Sequence, residues 1–406
     1  MGDAYKAVQM TDRVWWVGAI DWDIRDFHGY MTGRGTTWNA FLILGEEPIL
    51  IDTVKTSGQA EMMARIASVI DPTEIRHLVS NHTEMDHSGS VPFVVRTCRP
   101  DTLFASQMGA KGLPAHFDPG MEITPVKDQQ TMQLGDATLT FVETRMVHWP
   151  DSMFTYFAED QVLFSSDGFG MHLASQHLYA DELPTEVVEY EAAKYFANIL
   201  VLYSPHLIKL FAKVKGLNLP LRMIAPDHGP IYRQDLGEVL DRYMRWCEQK
   251  PTMKAVVLYD SMWDSTRSMA KAVGEGLHEG GADPRLLHAR GCHRSDVMTQ
   301  LLEAGALVVG APTLNNGLFP TVADHLTYIR GLRPRNLVGA AFGSYGWSGE
   351  AVKAVESYLT DMEIELVEEG LRVKWVPTAD DLARCRELGF AVAQRMKENC
   401  EAPPSA

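Results

Sequence analysis

Four potential metal ligands lie within six residues of this chain, in His82-Thr83-Glu84-Met85-Asp86-His87. Neutral imidazole and carboxylate bind iron, zinc or manganese without a thiolate. The stretch follows an apolar run, Ile75 to Val79, that reads as a buried strand. Side chains at alternating positions can converge from a loop at a strand end, whereas positions i and i+2 of a regular helix diverge. The competing reading is a polar loop capping a helix, with Asp86 or Ser88 at the N-cap. It leaves four ligand-type residues in so short a span unexplained.

Downstream, the chain supplies donors of the same kind. His148 stands just before Trp149-Pro150, at a proline turn. Asp167 ends the apolar run Val162-Leu163-Phe164 within Ser165-Ser166-Asp167-Gly168. His228 ends Ile224-Ala225-Pro226-Asp227 before Gly229. Each candidate sits where a strand meets a loop, so several strand ends could bring them to one place.

This order of motifs resembles the metallo-β-lactamase fold, over roughly residues 10 to 250. Its hydrolases carry His-x-His-x-Asp-His and then a separate His, Asp and His. Glu84 stands where they have histidine. The resemblance implies the metal set His82, Glu84, Asp86, His148, Asp167 and His228, with Asp167 as the natural bridge. Three carboxylates would face the four positive charges of two divalent ions, and an oxygen-rich set favours iron over zinc. The glutamate substitution is similar to the flavodiiron protein family, the oxygen or nitric oxide reductases of anaerobes. In that family the residue matching His87 often does not bind metal, so His87 is left out of the set.

A second pattern opens with a strand from Lys254 to Tyr259, then a hydroxyl-rich loop, then an amphipathic helix from Met269 to Gly276. Backbone N–H groups at such a helix start, with the helix dipole, make an anion site. The loop resembles the flavodoxin phosphate loop, Thr-x-Thr-Gly-x-Thr, at Ser261, Ser265 and Thr266, with Met262 among them. It departs at Trp263 and at Asp264, a carboxylate in the glycine position that should point away from a phosphate. Taken alone, an ordinary N-capped helix explains it equally well. Two later strand-to-loop junctions add weight: Pro312-Thr313-Leu314-Asn315-Asn316, and Ser344-Tyr345-Gly346-Trp347. In a doubly wound sheet, ligands bind at the carboxyl ends of the strands near the switch point. The pattern resembles the flavodoxin fold, with FMN as the implied cofactor. Tyr345 and Trp347 could flank the flavin ring, and Asn315 and Asn316 could reach its edge. Trp347 could instead be core, but its glycine-rich setting argues for exposure at a ligand.

The expected architecture is therefore α/β in two domains: residues 1–250 as a metallo-β-lactamase-like αββα sandwich, and 253–406 as a flavodoxin-like doubly wound parallel sheet. A chain of 406 residues with 46% apolar side chains suits two globular domains. Strands are expected at Val14 to Ile20, Trp38 to Leu44 and Ile49 to Asp52, and helices at Gly58 to Ile70, Glu186 to Leu217 and Leu236 to Gln249. Asp52 reads as a structural turn residue. The long glycine-rich loop from Asp21 to Thr37 holds His28, which reads first as structural and second as overhanging the metal site. The last residues, Glu401 to Ala406, read as disordered.

A net charge of −16, from 53 acidic against 37 basic side chains, argues against nucleic acid and anionic membranes as partners. Five scattered cysteines without Cys-x-x-Cys suit a reducing cytoplasm and exclude a fused rubredoxin or zinc ribbon. No signal peptide and no apolar run long enough to span a bilayer are predicted, so a soluble cytoplasmic protein is expected. Arg330, Arg333 and Arg335 form a small basic cluster that reads first as a solvated loop and second as a docking point for an acidic electron carrier.

A dimetal site alone could serve hydrolysis, and a flavin domain alone could shuttle electrons; together they suit a redox reaction. Two ferrous ions and one reduced FMN carry four electrons, which is what dioxygen needs to become two waters. The expected function is a flavodiiron oxygen reductase, with rubredoxin the donor that the resemblance implies. Nitric oxide reduction to nitrous oxide on the same ligands is the alternative. From another class, a zinc hydrolase carrying a flavodoxin-like interaction module remains, against which Glu84 argues. The resemblance also implies a head-to-tail homodimer, or a tetramer built from it, with the flavin of one chain facing the metals of the other.

Overall fold

The structure is a computed structural model that describes residues 5–401; the rest of the expected disordered tail, from residue 402 on, lies outside the described residues. The chain forms two compact units. One holds Met1–His28, Thr32–Tyr195 and Pro205–Arg242, and the other holds Gly29–Met31, Phe196–Ser204 and Tyr243–Ala406.

The first unit is built on two sheets. One has the spatial order Val8–Gln9, Val14–Trp16, Phe41–Ile43, Ile49–Ile51, His77–Ser80, Thr102–Ser106, Ile123–Val126. Its last four strands run parallel, and the helices Gln59–Ala67, Val91–Cys98 and Gly109–His116 fall between them in the chain. That is the crossover a parallel pair requires. The second sheet has the order Gln130–Leu134, Ala137–Glu143, Met153–Phe157, Val162–Phe164, Met223–Ala225. The strands are short apolar runs such as Ile49-Leu50-Ile51, buried on both faces. One face of the first sheet (Phe41, Ile49, Ile51, Val79) packs with Phe141, Phe157 and Phe164 of the second in a single core. Its other face (Leu42, Leu50, Leu78) packs with helix residues Met62, Ile66, Val91 and Val94. These layers are those of the expected sandwich.

Two expected strands are each broken in two. Val14 to Ile20 becomes Val14–Trp16 and Ala19–Asp21, and Trp38 to Leu44 becomes Thr36–Trp38 and Phe41–Ile43. The later piece of the first, Ala19–Asp21, and the earlier piece of the second, Thr36–Trp38, pair with each other in a separate small sheet. The break falls at Gly18, where a Cβ would stand 2.3 Å from the Trp38 carbonyl oxygen, so only glycine permits the approach. Asn39, across the break, accepts from the Trp16 indole and donates to the carbonyls of Pro226 and Gly229.

The expected helix from Glu186 to Leu217 is Thr185–Tyr195 and Ser204–Leu217, separated by a π-turn at Phe196–Leu200 and a 3₁₀ turn at Val201–Tyr203. The sequence predicts no apolar run able to cross a bilayer, yet Thr185–Leu217 is long and apolar enough by length and composition. Half of its most apolar window is buried inside the protein, as in a core helix.

The second unit carries a parallel sheet in the order Asp283–His288, Lys254–Tyr259, Ala306–Gly310, Val338–Tyr345, with Glu365–Leu366 and Leu371–Lys374 both beside the last. In chain order this is 2-1-3-4-5, the flavodoxin-like doubly wound arrangement, with its switch point between the first and third strands. The helices Ser265–Glu279 and Ala379–Glu401 cover one face through Met269, Val273, Leu277, Leu388, Val392 and Met396.

Candidate metal centre and cofactor cavity

The parallel register of the first unit places its donors. Val162–Phe164 pairs with Met223–Ala225 so that Phe164 lies beside Ala225. The two strands therefore end together, and the chain past each delivers Asp167 and His228. Ser165 N–H donates to the Ala225 carbonyl at 3.0 Å, and Asp227 N–H to the Ser166 carbonyl at 2.9 Å. In the other sheet, His77–Ser80 ends at Asn81 and His82. Asp52, at a left-handed φ of 56°, holds that end by accepting the Asn81 N–H at 2.7 Å and its side-chain amide at 2.6 Å. Asp52 is thus the structural residue expected, and its work is to fix the ligand loop. Met153 N–H donates to the Asn81 carbonyl at 3.0 Å, joining the two sheets' ends where His148 enters.

Two donor groups result: His82, Glu84, His148 and Asp167, and then Asp86, His87 and His228, the ligand atoms of each lying within 4.8 Å of one another. Asp167 faces both. Its Oδ2 is 3.1 Å from His148 Nε2 and 3.5 Å from His82 Nε2, while its Oδ1 is 3.3 Å from His228 Nε2. The site therefore has the arrangement of two cation positions sharing one carboxylate.

The motif is not a plain loop. His82 and Glu84 precede a one-turn helix, Met85–Ser88, whose N-cap is Glu84 and not Asp86 or Ser88. That turn swings Asp86 and His87 to the second group. His87, left out of the expected set, has its Nε2 3.3 Å from Asp86 Oδ2 and 3.4 Å from Asp167 Oδ1, the position of a donor. His28 differs from expectation as well. Its Nε2–H donates to Glu84 Oε1 at 2.8 Å from a side chain that is 64% exposed, so it is not a core histidine. A lone histidine in a glycine-rich loop gave only a weak signal.

Outer partners orient the rings. His82 Nδ1–H donates to Asp151 Oδ2 at 3.0 Å, and the same oxygen accepts the Thr83 N–H at 2.7 Å. His228 Nδ1–H donates to the Thr37 carbonyl at 2.9 Å. Each bond leaves Nε2 with its lone pair turned into the site. Asp151 escaped the sequence reading, although an acid one residue past a His-x-Pro turn is a signal worth weighing. The Tyr195 phenol is pushed well up by burial and by the charge of nearby Asp167.

The electrostatics favour cations. Burial alone would push His82 down, but bonds to Asp151 and Glu84 with the nearby carboxylate charges push it up to about 10. Burial would likewise raise Glu84 and Asp167, yet the surrounding imidazoles hold both well below the usual carboxylate range. Neither oxygen of Asp86, neither ring nitrogen of His87 and not Asp167 Oδ1 has a hydrogen-bond partner among the described residues. Buried polar atoms without partners are costly unless something else binds them, and metal coordination fits this donor set.

In the second unit a cavity of about 470 Å³ opens at the switch point, within the size range of small-molecule sites. Met262, Trp263 and Ser265 line it from the first loop; Pro312, Thr313, Leu314, Asn315 and Asn316 from the second; Ser344, Tyr345, Gly346 and Trp347 from the third. Ser261 and Thr266 do not line it: both are buried beneath, and Thr266 Oγ1 is hydrogen-bonded to Ser344 Oγ at 2.9 Å. Asp264 points outward as expected, with its carboxylate on Arg267 at 2.6 Å. Trp347 is 80% exposed and is no core residue. Ser348, Trp375 and Val376 complete the wall and escaped the sequence reading. Trp375 follows a four-residue strand, Leu371–Lys374, too short to mark the residue after it as a wall of the cavity. Left-handed backbone at Asp264, Asn315, Asn316, Gly349 and Trp375 clusters here, as strained conformations do at ligand sites.

The basic cluster, expected as a solvated loop, begins in the last turn of the helix Pro320–Leu332, which holds Arg330, and continues past its end at Arg333. Arg330 pairs with Asp361 at 3.2 Å over the Tyr358 ring, and the Arg335 N–H donates to Gln249.

Comparison with known proteins covers nearly the whole chain. Residues 36–229 match the family described as ODP family beta lactamase, and residues 257–389 match the flavodoxin family. A rubredoxin-oxygen oxidoreductase from Megalodesulfovibrio gigas is 41% identical, over 97% of this chain and 98% of its own. A nitric oxide reductase from Moorella thermoacetica is 42% identical, over 97% of this chain and all of its own. The crystal structure of the flavodiiron protein from Giardia intestinalis superposes with a TM-score of 0.94 at 33% identity, covering 99% of this chain and all of that one.

Proposed function

Because the chain belongs to the flavodiiron protein family of oxidoreductases, we propose that it reduces dioxygen to water at two iron ions fed by FMN. The observation that carries this is Asp167, whose two carboxylate oxygens face two separate donor groups. The ligands proposed are His82, Glu84, Asp86, His148, Asp167 and His228, with His87 added on its geometry. Carboxylates in both groups favour iron over zinc, which sets the zinc hydrolase aside. When bound, iron and FMN together supply the four electrons that dioxygen needs. The chain's own residues do the rest. Asp151 and the Thr37 carbonyl fix the imidazoles, and His28 donates to Glu84 from the solvent side.

Nitric oxide is a second proposed substrate, supported by the name of the 42% identical relative. The proposed donor is rubredoxin, which the 41% identical relative carries in its name. We place the protein in the cytoplasm, with no membrane or nucleic acid as partner. The boundary proposed lies at Pro251, between the helix Leu236–Glu248 and the strand Lys254–Tyr259. Residues 1–250 then form the diiron domain and 253–406 the flavin domain. Metal analysis, the flavin absorbance spectrum and turnover with each gas test the whole reading. Iron with a yellow protein that consumes oxygen is expected, and zinc in a colourless one overturns it.

The working unit proposed is a head-to-tail homodimer, alone or paired into a tetramer, because so short a linker restrains free swinging. Mixing dissociated Asp86→Asn and Ser265→Asp chains should restore activity to roughly a quarter of the sites, half of the dimers being mixed with one good pair each. Mixed dimers that form and restore nothing overturn it.

A further inference from the structure

We propose that Asp260 and Arg290 form a charge-neutralised pair beneath the phosphate loop, and that this pair sets the cavity's preference for a phosphorylated over an unphosphorylated flavin. The inference rests on the flavin reading above and goes beyond it to two residues outside the cavity lining.

Asp260 is the last residue before the loop, and its side chain is fully buried. Its Oδ1 accepts the Ser261 N–H at 2.6 Å, Arg290 Nε–H at 2.9 Å and Arg290 Nη2–H at 2.8 Å. Its Oδ2 accepts the Thr321 hydroxyl at 2.5 Å, at the start of the helix Pro320–Leu332. Arg290 Nη2 also donates to the Ser261 carbonyl. The arginine thus grips both the carboxylate before the loop and the loop's first carbonyl. Burial would raise the Asp260 pKa, but the bonds from Thr321, Ser261 and Arg290 hold it below the ordinary range, so the group is an anion.

An anion fixed next to a phosphate cradle opposes phosphate binding unless a cation cancels it. The loop's hydroxyls and amides cannot do so, because they are dipoles that carry no net charge. Ser261 N–H, moreover, is turned onto Asp260 and away from any ligand. The other acid of the loop is treated in the same way, Asp264 being paired with Arg267 at 2.6 Å on the outer side. Both carboxylates therefore have an arginine partner, and the loop presents its N–H groups without a net negative charge behind them. Arg290 is a positioning and charge-balancing residue, not a ligand of the flavin. His288 Nε2 also stands 3.3 Å from Asp260 Oδ1, but it lacks the guanidinium's fixed charge and fork of donors.

The test uses the full-length chain stripped of flavin and titrated with FMN and with riboflavin, following flavin fluorescence. The wild type should prefer FMN. Arg290→Gln should weaken FMN roughly tenfold and riboflavin by less than about threefold, because only the phosphate feels the uncovered carboxylate. Adding Asp260→Asn to that variant should recover most of the lost preference. Arg290→Lys keeps the charge without the fork and should stay within about threefold of the wild-type ratio, which decides the matter if Arg290→Gln fails to fold. Equal weakening of both flavins, or a double variant as poor as the single one, overturns the proposal. A wild type that binds riboflavin as tightly as FMN does the same while leaving the flavin reading intact. A wild type that binds neither flavin removes that reading as well.

Discussion

The two sites solve ligand binding in opposite ways. The proposed metal centre gathers side chains: seven residues of donor type, six of them buried and His148 nearly so, drawn from the ends of strands in two sheets and held by further side chains such as Asp151 and Asp52. The cavity of the second unit is lined from three loops and by exposed aromatic side chains, with Trp263 at 90% and Trp347 at 80% exposure around an opening of about 470 Å³. A metal needs charged atoms at fixed distances, which burial and outer hydrogen bonds provide. A flat aromatic ring and a phosphate need a slot and a row of N–H groups, which loops at a switch point provide. Substitutions should accordingly be punished sharply at the first site and more gradually at the second, except where charge enters the phosphate loop.

Four substitutions break or sharpen that contrast, from the largest effect to the smallest. Asp167→Asn should empty both cation positions, lowering affinity by more than the ~10–100-fold usual for loss of an outer partner. Iron measured per chain checks it, and retention of both ions would mean Asp167 does not bridge. Ser265→Asp places a carboxylate in the cavity wall and removes a hydroxyl. A lost bond to a charged group alone is about 1.5–3 kcal/mol, so FMN affinity should fall about 100-fold with iron content unchanged. Asp151→Asn keeps the shape but frees the His82 ring from its anchoring charge. Metal affinity should drop about tenfold at the group containing His82, with an unaltered circular dichroism spectrum. His28→Ala removes one half-exposed hydrogen bond to Glu84 and should cost about fivefold or less in affinity at that group, read by metal competition titration. A larger loss there would place His28 among the ligands.

How much of this was legible in the sequence follows from how local each feature is. The His82-to-His87 stretch names four donors without any fold, because ligand chemistry belongs to residue type. Asp167 and His228 were legible for a related reason, each following an apolar run that had to be a strand and so had to end, and His148 was marked by the proline turn after it. The doubly wound parallel sheet of the second unit was legible through its βα alternation and the loops at its strand ends, while its strand order came from the structure. The broken strands at Gly18 were not, since a glycine is equally at home in a bulge, a turn or a close approach, and only the Trp38 carbonyl at 2.3 Å says which.

What the sequence by itself determined is therefore the inventory: an oxygen-rich metal set, two α/β halves and three loops at strand ends. Tertiary structure alone decided the assignments. That His87 stands beside Asp86 and Asp167 depends on a single helical turn, and no spacing rule distinguishes that turn from a loop. Asp151 finds His82, and Arg290 finds Asp260, across 69 and 30 positions of chain. Trp375 reaches the cavity wall only because its edge strand pairs with Val338–Tyr345. Hydrogen bonds and ion pairs act over a few ångströms, whatever the separation along the chain. Their partners are fixed by strand register and sheet order, and these exist only once the hydrophobic core has closed.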